Sequence, residues 1–231
     1  MGKPRWDVPF CLPSGAISRR ALRAALAASR VRAFRQGEMI LPCCGSTPAL
    51  HLIRAGLVKV SLYSKNGHEK IIGLRGPGSL VGTLWAPTGH VPCKGVTALS
   101  PGVTTRSWDH RALAGLARSH PELLGLLVKF LSYKVAVLTT QIEGLAFASA
   151  NQRICSCLLE LATAFGRQDH GGSAVTIPIA VTQNDLASMA AVSRVTASKA
   201  WGHLREQGVV SKAGRGLVVT DLEALRSLVS G

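Results

Sequence analysis

Residues 182–207, TQNDLASMAAVSRVTASKAWGHLREQ, decide how the rest of the chain is read. Thr182 followed three positions later by Asp185 is a capping box, in which two side chains satisfy free amides at a helix start. Leu186 and Ala187 then face inward, and the small Ala187 lets a second helix cross closely. A turn is expected at Ala190-Ala191-Val192, although many such turns place glycine where Ala191 stands. Ser193 is a natural N-cap for a second helix reaching Leu204. Two capped helices joined this tightly read as a helix-turn-helix, whose second helix enters the DNA major groove. The competing reading is a helical hairpin with no nucleic-acid role.

On the second helix Val195, Ser198 and Lys199 share a face near the N-terminal end, flanked by Arg194. Lysine donates to guanine or phosphate, serine bonds either, and a valine methyl meets a thymine methyl. Beyond Gly208, Val209-Val210 and Leu217-Val218-Val219 flank Gly214-Arg215-Gly216 as a hairpin, or wing, with Arg215 at its tip. The candidate DNA contacts are Thr182, Ser193, Arg194, Val195, Ser198, Lys199 and Arg215.

Upstream, a helix is expected over Gln152 to Phe165, then a glycine-rich loop at Gly166 to Gly172 and a short strand at Val175 to Ile179. Between Pro121 and Leu145 the apolar residues Leu124, Val128, Leu131, Val135, Leu138, Ile142 and Leu145 are spaced 4, 3, 4, 3, 4, 3. That is the heptad seam of a two-stranded coiled coil. A helix lying on its own domain would carry a wider, less regular stripe. From Val31 to Ser107 the chain reads as short strands: Leu50 to Ile53, Leu57 to Leu62 after the break at Gly56, and Glu69 to Leu74 after Asn66-Gly67. Strands this short and evenly spaced suggest a barrel or jelly roll. The expected fold is therefore α+β, with a β-barrel sensor domain (1–118), a dimerisation helix (119–148) and a winged helix-turn-helix domain (149–231).

Composition narrows the function. At 231 residues and 47% hydrophobic, the chain can bury a core in two domains. No run approaches about 18 uncharged apolar residues, and the N-terminus (Lys3, Pro4, Arg5, Asp7, Pro9) lacks an apolar signal region. A cytoplasmic protein with no membrane partner is expected. The net charge of +15 suggests a polyanion. From Ser149 onward, however, eight Lys/Arg against six Asp/Glu leave only +2. Much of the excess lies at Arg19, Arg20, Arg23, Arg30, Arg32 and Arg35, which suit a basic surface helix or a phosphate-steering patch.

The six cysteines (11, 43, 44, 93, 155, 157) show no zinc-knuckle spacing. Cys155 and Cys157, two apart on a helix, point in different directions. No metal and no cofactor are expected. Without a Cys/His/Asp constellation or a nucleotide loop, the chain does not read as an enzyme.

The order of these parts resembles the CRP/FNR transcription regulators. The likeness rests on Ile53-Arg54-Ala55-Gly56-Leu57-Val58-Lys59-Val60, Gly78-Ser79-Leu80-Val81-Gly82, Val181-Thr182-Gln183-Asn184-Asp185-Leu186-Ala187 and Val192-Ser193-Arg194-Val195-Thr196. It implies a homodimer on double-stranded DNA with an inverted repeat, controlled by an effector, and a contact with RNA polymerase if it activates. Cyclic-AMP members carry an acid and an Arg-Ser pair in their phosphate cassette; Gly78-Ser79-Leu80 and Cys93-Lys94-Gly95 supply neither. Iron–sulfur members need clustered N-terminal cysteines, and only Cys11 lies there. His51, His68 and His90 are available as haem ligands, yet a lone histidine is more often a surface residue.

A finer likeness is to the CprK-type halorespiration regulators, which bind chlorinated phenols. Gly78 to Gly89 looks like their sensor loop, and Lys134-Val135-Ala136, Gln141 and Arg153-Ile154 look like their dimer helix. This implies an aromatic effector bound by Gly82, Thr83, Leu84, Trp85 and Lys134, with the lysine on the phenolate. An acidic halophenol ionises near neutral pH, whereas an ordinary phenol needs a pH of about 10. Lys134 fits equally a solvated position beside the heptad seam. Val195 implies an A/T-rich site, Lys199 departs from the arginine usual in that subgroup, and Cys11 falls where the subgroup can carry a redox-active cysteine. Two rivals remain open: a thiol-redox regulator of the same fold, and a cyclic-nucleotide-type module acting through a protein partner.

Overall fold

The computed structural model describes residues 18–42, 49–82, 94–168, 174–214 and 216–230. Their contacts group them into two units, one ending at Thr139 and the other starting at Thr140.

The first unit opens with α1 (Arg19–Ala27), started by Ser18, whose Oγ accepts from the Ala21 N–H. The strands β1 (Arg30–Phe34), β2 (Met39–Leu41), β3 (Ala49–Ala55), β4 (Val58–Tyr63), β5 (Glu69–Arg75), β6 (Leu80–Val81), β7 (Lys94–Ala98) and β8 (Val103–Asp109) follow. They form two antiparallel sheets, ordered β1-β8-β3-β6 and β2-β7-β4-β5. Side-chain alternation along each strand sorts the faces. Phe34, Ile53, Val81 and Val103 of the first sheet meet Ile40, Val58, Val96 and Ala98 of the second in one core. Gly56 closes the turn after β3 with positive φ; a Cβ there would lie 2.9 Å from Val103 Cα, so only glycine fits.

Helix α2 (His110–Ser119) is capped by Asp109, whose Oδ1 accepts from the Ala112 N–H. Helix α3 (Glu122–Phe147) runs for 26 residues and buries only Phe130 and Val137. It corrects one expectation: by length and composition it could cross a membrane, with a mean hydropathy of 1.6 over an 18-residue window. Lys129, Lys134 and Glu143 interrupt every long uncharged run, so a search for such runs passes over the helix, whereas an average over a window tolerates two charges.

The second unit contains α4 (Ala150–Phe165), β9 (Arg167–Gln168), β10 (Val175–Ile177), α5 (Gln183–Ala190), α6 (Arg194–Glu206), β11 (Val210–Ala213), β12 (Gly216–Val219) and α7 (Leu222–Ser230). β10 stops before Pro178, which has no N–H to extend the ladder. Its sheet runs β11-β12-β10-β9. Ile154, Leu158 and Leu161 of α4 line one helical face and are fully buried with Ile177, Leu225 and Val219. Helix α7 was not expected from the sequence; Asp221 starts it by accepting from the Ala224 N–H. Arg153 and Ile154 sit on α4, not on the long helix to which the family likeness assigned them.

Candidate nucleic-acid interface and effector cavity

The two helices α5 and α6 are set by their caps. Thr182 Oγ1 accepts from the Asp185 N–H at 3.0 Å, and Asp185 Oδ2 accepts from the Thr182 N–H at 3.0 Å. Ser193 Oγ accepts from the Thr196 N–H at 3.0 Å. Between the helices Ala191 takes the left-handed conformation, φ 53° and ψ 49°, its N–H bonded to Ala187 O. Arg153 fixes this turn from outside, Nε donating to Ala190 O at 2.9 Å and Nη1 to Ala148 O at 2.8 Å. No sequence signal marked that role, because it depends on two carbonyls, one of them 37 positions away.

Ala197, Trp201 and Leu204 bury one face of α6 at helical spacing. The opposite side exposes Arg194, Val195, Ser198 and Lys199. Val195 is 63% exposed, an apolar side chain left in water on a cationic surface. Farther along α6, His203 and Arg205 are exposed, as is Lys212 on β11; sequence reading had not singled them out. Thr182 and Ser193, both exposed, use their hydroxyls as caps. Arg215 lies outside the described residues. A surface of this kind, cationic with one apolar contact and built on a preorganised helix, suits a nucleic-acid groove.

In the first unit, Gly82 has positive φ, and a Cβ there would fall 2.1 Å from Ala49 O. It borders a cavity of about 520 Å³ between α1, α2, the first half of α3 and the outward face of the β1-β8-β3-β6 sheet. Thr83, Leu84 and Trp85 lie outside the described residues. The Lys134 ammonium sits 4.7 Å from the Phe130 ring centroid and is not on the cavity wall.

His51 is 2% exposed, contrary to the expectation of a surface histidine, because strand alternation turns it inward with Ile53. Its Nδ1 lies 3.0 Å from Thr105 Oγ1. Burial, helped by the positive charge of Arg32, lowers its pKa to about 4, so it is neutral at pH 7. His68 is exposed, and His90 lies outside the described residues. Cys155 and Cys157 are both buried, since α4 packs on more than one side. Burial pushes the Cys155 thiol up, which suppresses the reactive thiolate. Cys11 lies outside the described residues. No group of three or more His, Cys, Asp or Glu converges among the described residues.

Residues 152–228 match the Crp-like helix-turn-helix domain. The CRP-like cAMP-activated global transcriptional regulator of Mycobacterium tuberculosis is 27% identical over 176 residues, 76% of this chain and 77% of that protein. Among solved structures, CprK complexed with OCPA superposes with a TM-score of 0.66 at 23% identity, over 92% of this chain and 94% of that one. The c-di-GMP responsive regulator CLP of Xanthomonas campestris gives 0.75 at 18% identity, over 87% and 99%. Its antiparallel sheets, long helix and C-terminal helix-turn-helix make this chain a member of the CRP/FNR family of transcription regulators.

Proposed function

We propose that two copies of this chain join along α3 and present their α6 helices to one inverted DNA repeat, under the control of a small effector. The observation that carries the reading is the apolar row on α3. Leu124, Val128, Val135, Leu138, Ile142 and Leu145 stand between 37 and 65% exposed, and Leu131 completes their heptad spacing. Burying one such side chain fully is worth about 1.5–3 kcal/mol. A second α3 packed knobs-into-holes would bury the whole row. Two recognition helices held roughly 34 Å apart would then meet successive major-groove turns. Val195 supports an A/T-rich repeat.

On this reading residues 1–118 sense, 119–148 join the copies and 149–231 bind DNA in the cytoplasm, with RNA polymerase as a further partner if the protein activates. The effector is a small aromatic anion of the halogenated-phenol class, bound by Gly82 to Trp85 and by Lys134. The fold shared with CprK and the half-buried Lys134 ammonium support that class. Ligand binding has to differ in strength between two arrangements of the dimer, or it shifts nothing.

A mobility-shift titration with an A/T-rich palindrome, with and without a chlorinated phenol, tests both levels. The natural protein should bind more tightly with the ligand present, and Lys134→Leu should bind alike in both conditions. A ligand response retained by Lys134→Leu removes the effector assignment. No shift by the natural protein at moderate salt removes the regulator itself.

A further inference from the structure

The cavity over the outward face of the β1-β8-β3-β6 sheet is walled by Leu26 of α1, Leu52 and Trp108 of the sheet, Leu113 and Ala117 of α2, and Leu127 of α3, among others. Strand alternation puts Leu52 on the side opposite Ile53, so this space lies outside the barrel core. Among the described residues its wall holds a single polar side chain, His110, and no cationic or acidic one. The Trp108 indole N–H donates to Ala25 O at 2.7 Å, so it is already satisfied and offers a ligand only an apolar ring. Helix α2 turns Leu113, Leu116 and Ala117 toward this space, yet it has no buried residue. Protein interiors close such gaps, and an apolar gap that stays open remains dry and accepts apolar molecules.

We infer that this cavity is a binding site for a small, uncharged, hydrocarbon-like ligand, separate from Lys134 and from DNA. Its volume of about 520 Å³ falls within the range of small-molecule sites, roughly 300–1,000 Å³. An anion finds no partner on this wall, which excludes the aromatic-anion class here. A second copy is not the occupant: only Leu124 and Leu131 of the heptad row border the space, and Val128, Val135, Leu138, Ile142 and Leu145 lie elsewhere. The inference does not depend on the halophenol reading.

The test is a fluorescence titration of the full chain with N-phenyl-1-naphthylamine, an uncharged dye that brightens in apolar sites. Saturable binding displaced by naphthalene is expected, weakened roughly tenfold or more in Ala114→Leu/Ala117→Leu, which fills the space. Single Ala25→Leu, checked for fold by circular dichroism, should weaken it too and serves if the double variant is unstable. No saturable binding by the natural chain overturns the site, since the wall would then be covered. Loss of the dye from Val135→Ser but not from the cavity-filling variants would move it to the exposed row on α3 and overturn the site equally.

Discussion

The helices of the two units stand in different relations to their cores. In the second unit α4 buries seven residues, α5 four and α6 three, and α7 buries Leu225 completely. In the first, α1 buries Ala21 alone, α2 none, and α3 only Phe130 and Val137 of its 26 residues. The second unit is filled by its own chain. The first completes its sheet core but leaves apolar helix surface over a cavity and along α3, surface suited to a ligand and a second copy.

The largest effect is expected where that unfilled surface is attacked. Val135 is 63% exposed, so Val135→Asp should leave each chain folded. In a paired α3 the change removes about 1.5–3 kcal/mol of burial from each copy and brings two carboxylates into an apolar seam. The dimer constant should weaken by at least roughly 100-fold, since each 1.4 kcal/mol is a factor of ten. DNA affinity should fall with it. Sedimentation velocity and a mobility shift check both, and a variant that remains dimeric would break the contrast between the units.

A smaller effect should separate the first unit's closed core from its open helical layer. His51 belongs to the core, and its pKa is lowered from the ordinary 6.5 to about 4 by burial and Arg32. The unfolded chain therefore takes up this proton before the folded one does. The stability it contributes is complete above pH 6.5 and is lost as pH falls from 6.5 toward 4, on the order of 3 kcal/mol in all. His51→Gln keeps a hydrogen-bonding partner for Thr105 without titrating and should remove that slope. Hydrogen exchange at β3 and β8 amides should accelerate on acidification in the natural chain, more than at α5 or α6. An equal response in both units would mean that the histidine is not what acid opens.

The same contrast explains what the sequence made legible. Thr182 with Asp185, and Ser193 ahead of Thr196, are local signals, because a cap and the amide it satisfies lie three residues apart. The row on α3 was equally readable from its period, and Gly56 and Asn66-Gly67 marked the breaks between strands. His51 was misread because its environment comes from Thr105 and Phe34 on other strands. Arg153 was placed on the wrong helix, since its two carbonyl partners exist only after α4 and α5 pack. The cavity had no signature at all: leucines that line a void and leucines that fill a core have the same pattern along the chain.

The smallest effect lies in the unit that is already complete. Ala191 holds φ 53° and ψ 49°, where an L-residue other than glycine costs about 1–2 kcal/mol because Cβ crowds the next carbonyl. Ala191→Gly relieves that crowding but gives the unfolded chain more freedom, which returns part of the gain. The net should be a stabilisation of about 0.5–1 kcal/mol, read as a higher urea midpoint with an unchanged slope. DNA affinity should not move, because the caps at Thr182 and Ser193 and the Arg153 bonds already fix the angle between α5 and α6. If the substitution loosened DNA binding instead, the alanine would be restricting the turn rather than merely tolerating it. The second unit would then depend on a strained residue to hold its reading helix, and the contrast between a finished unit and an unfinished one would no longer hold.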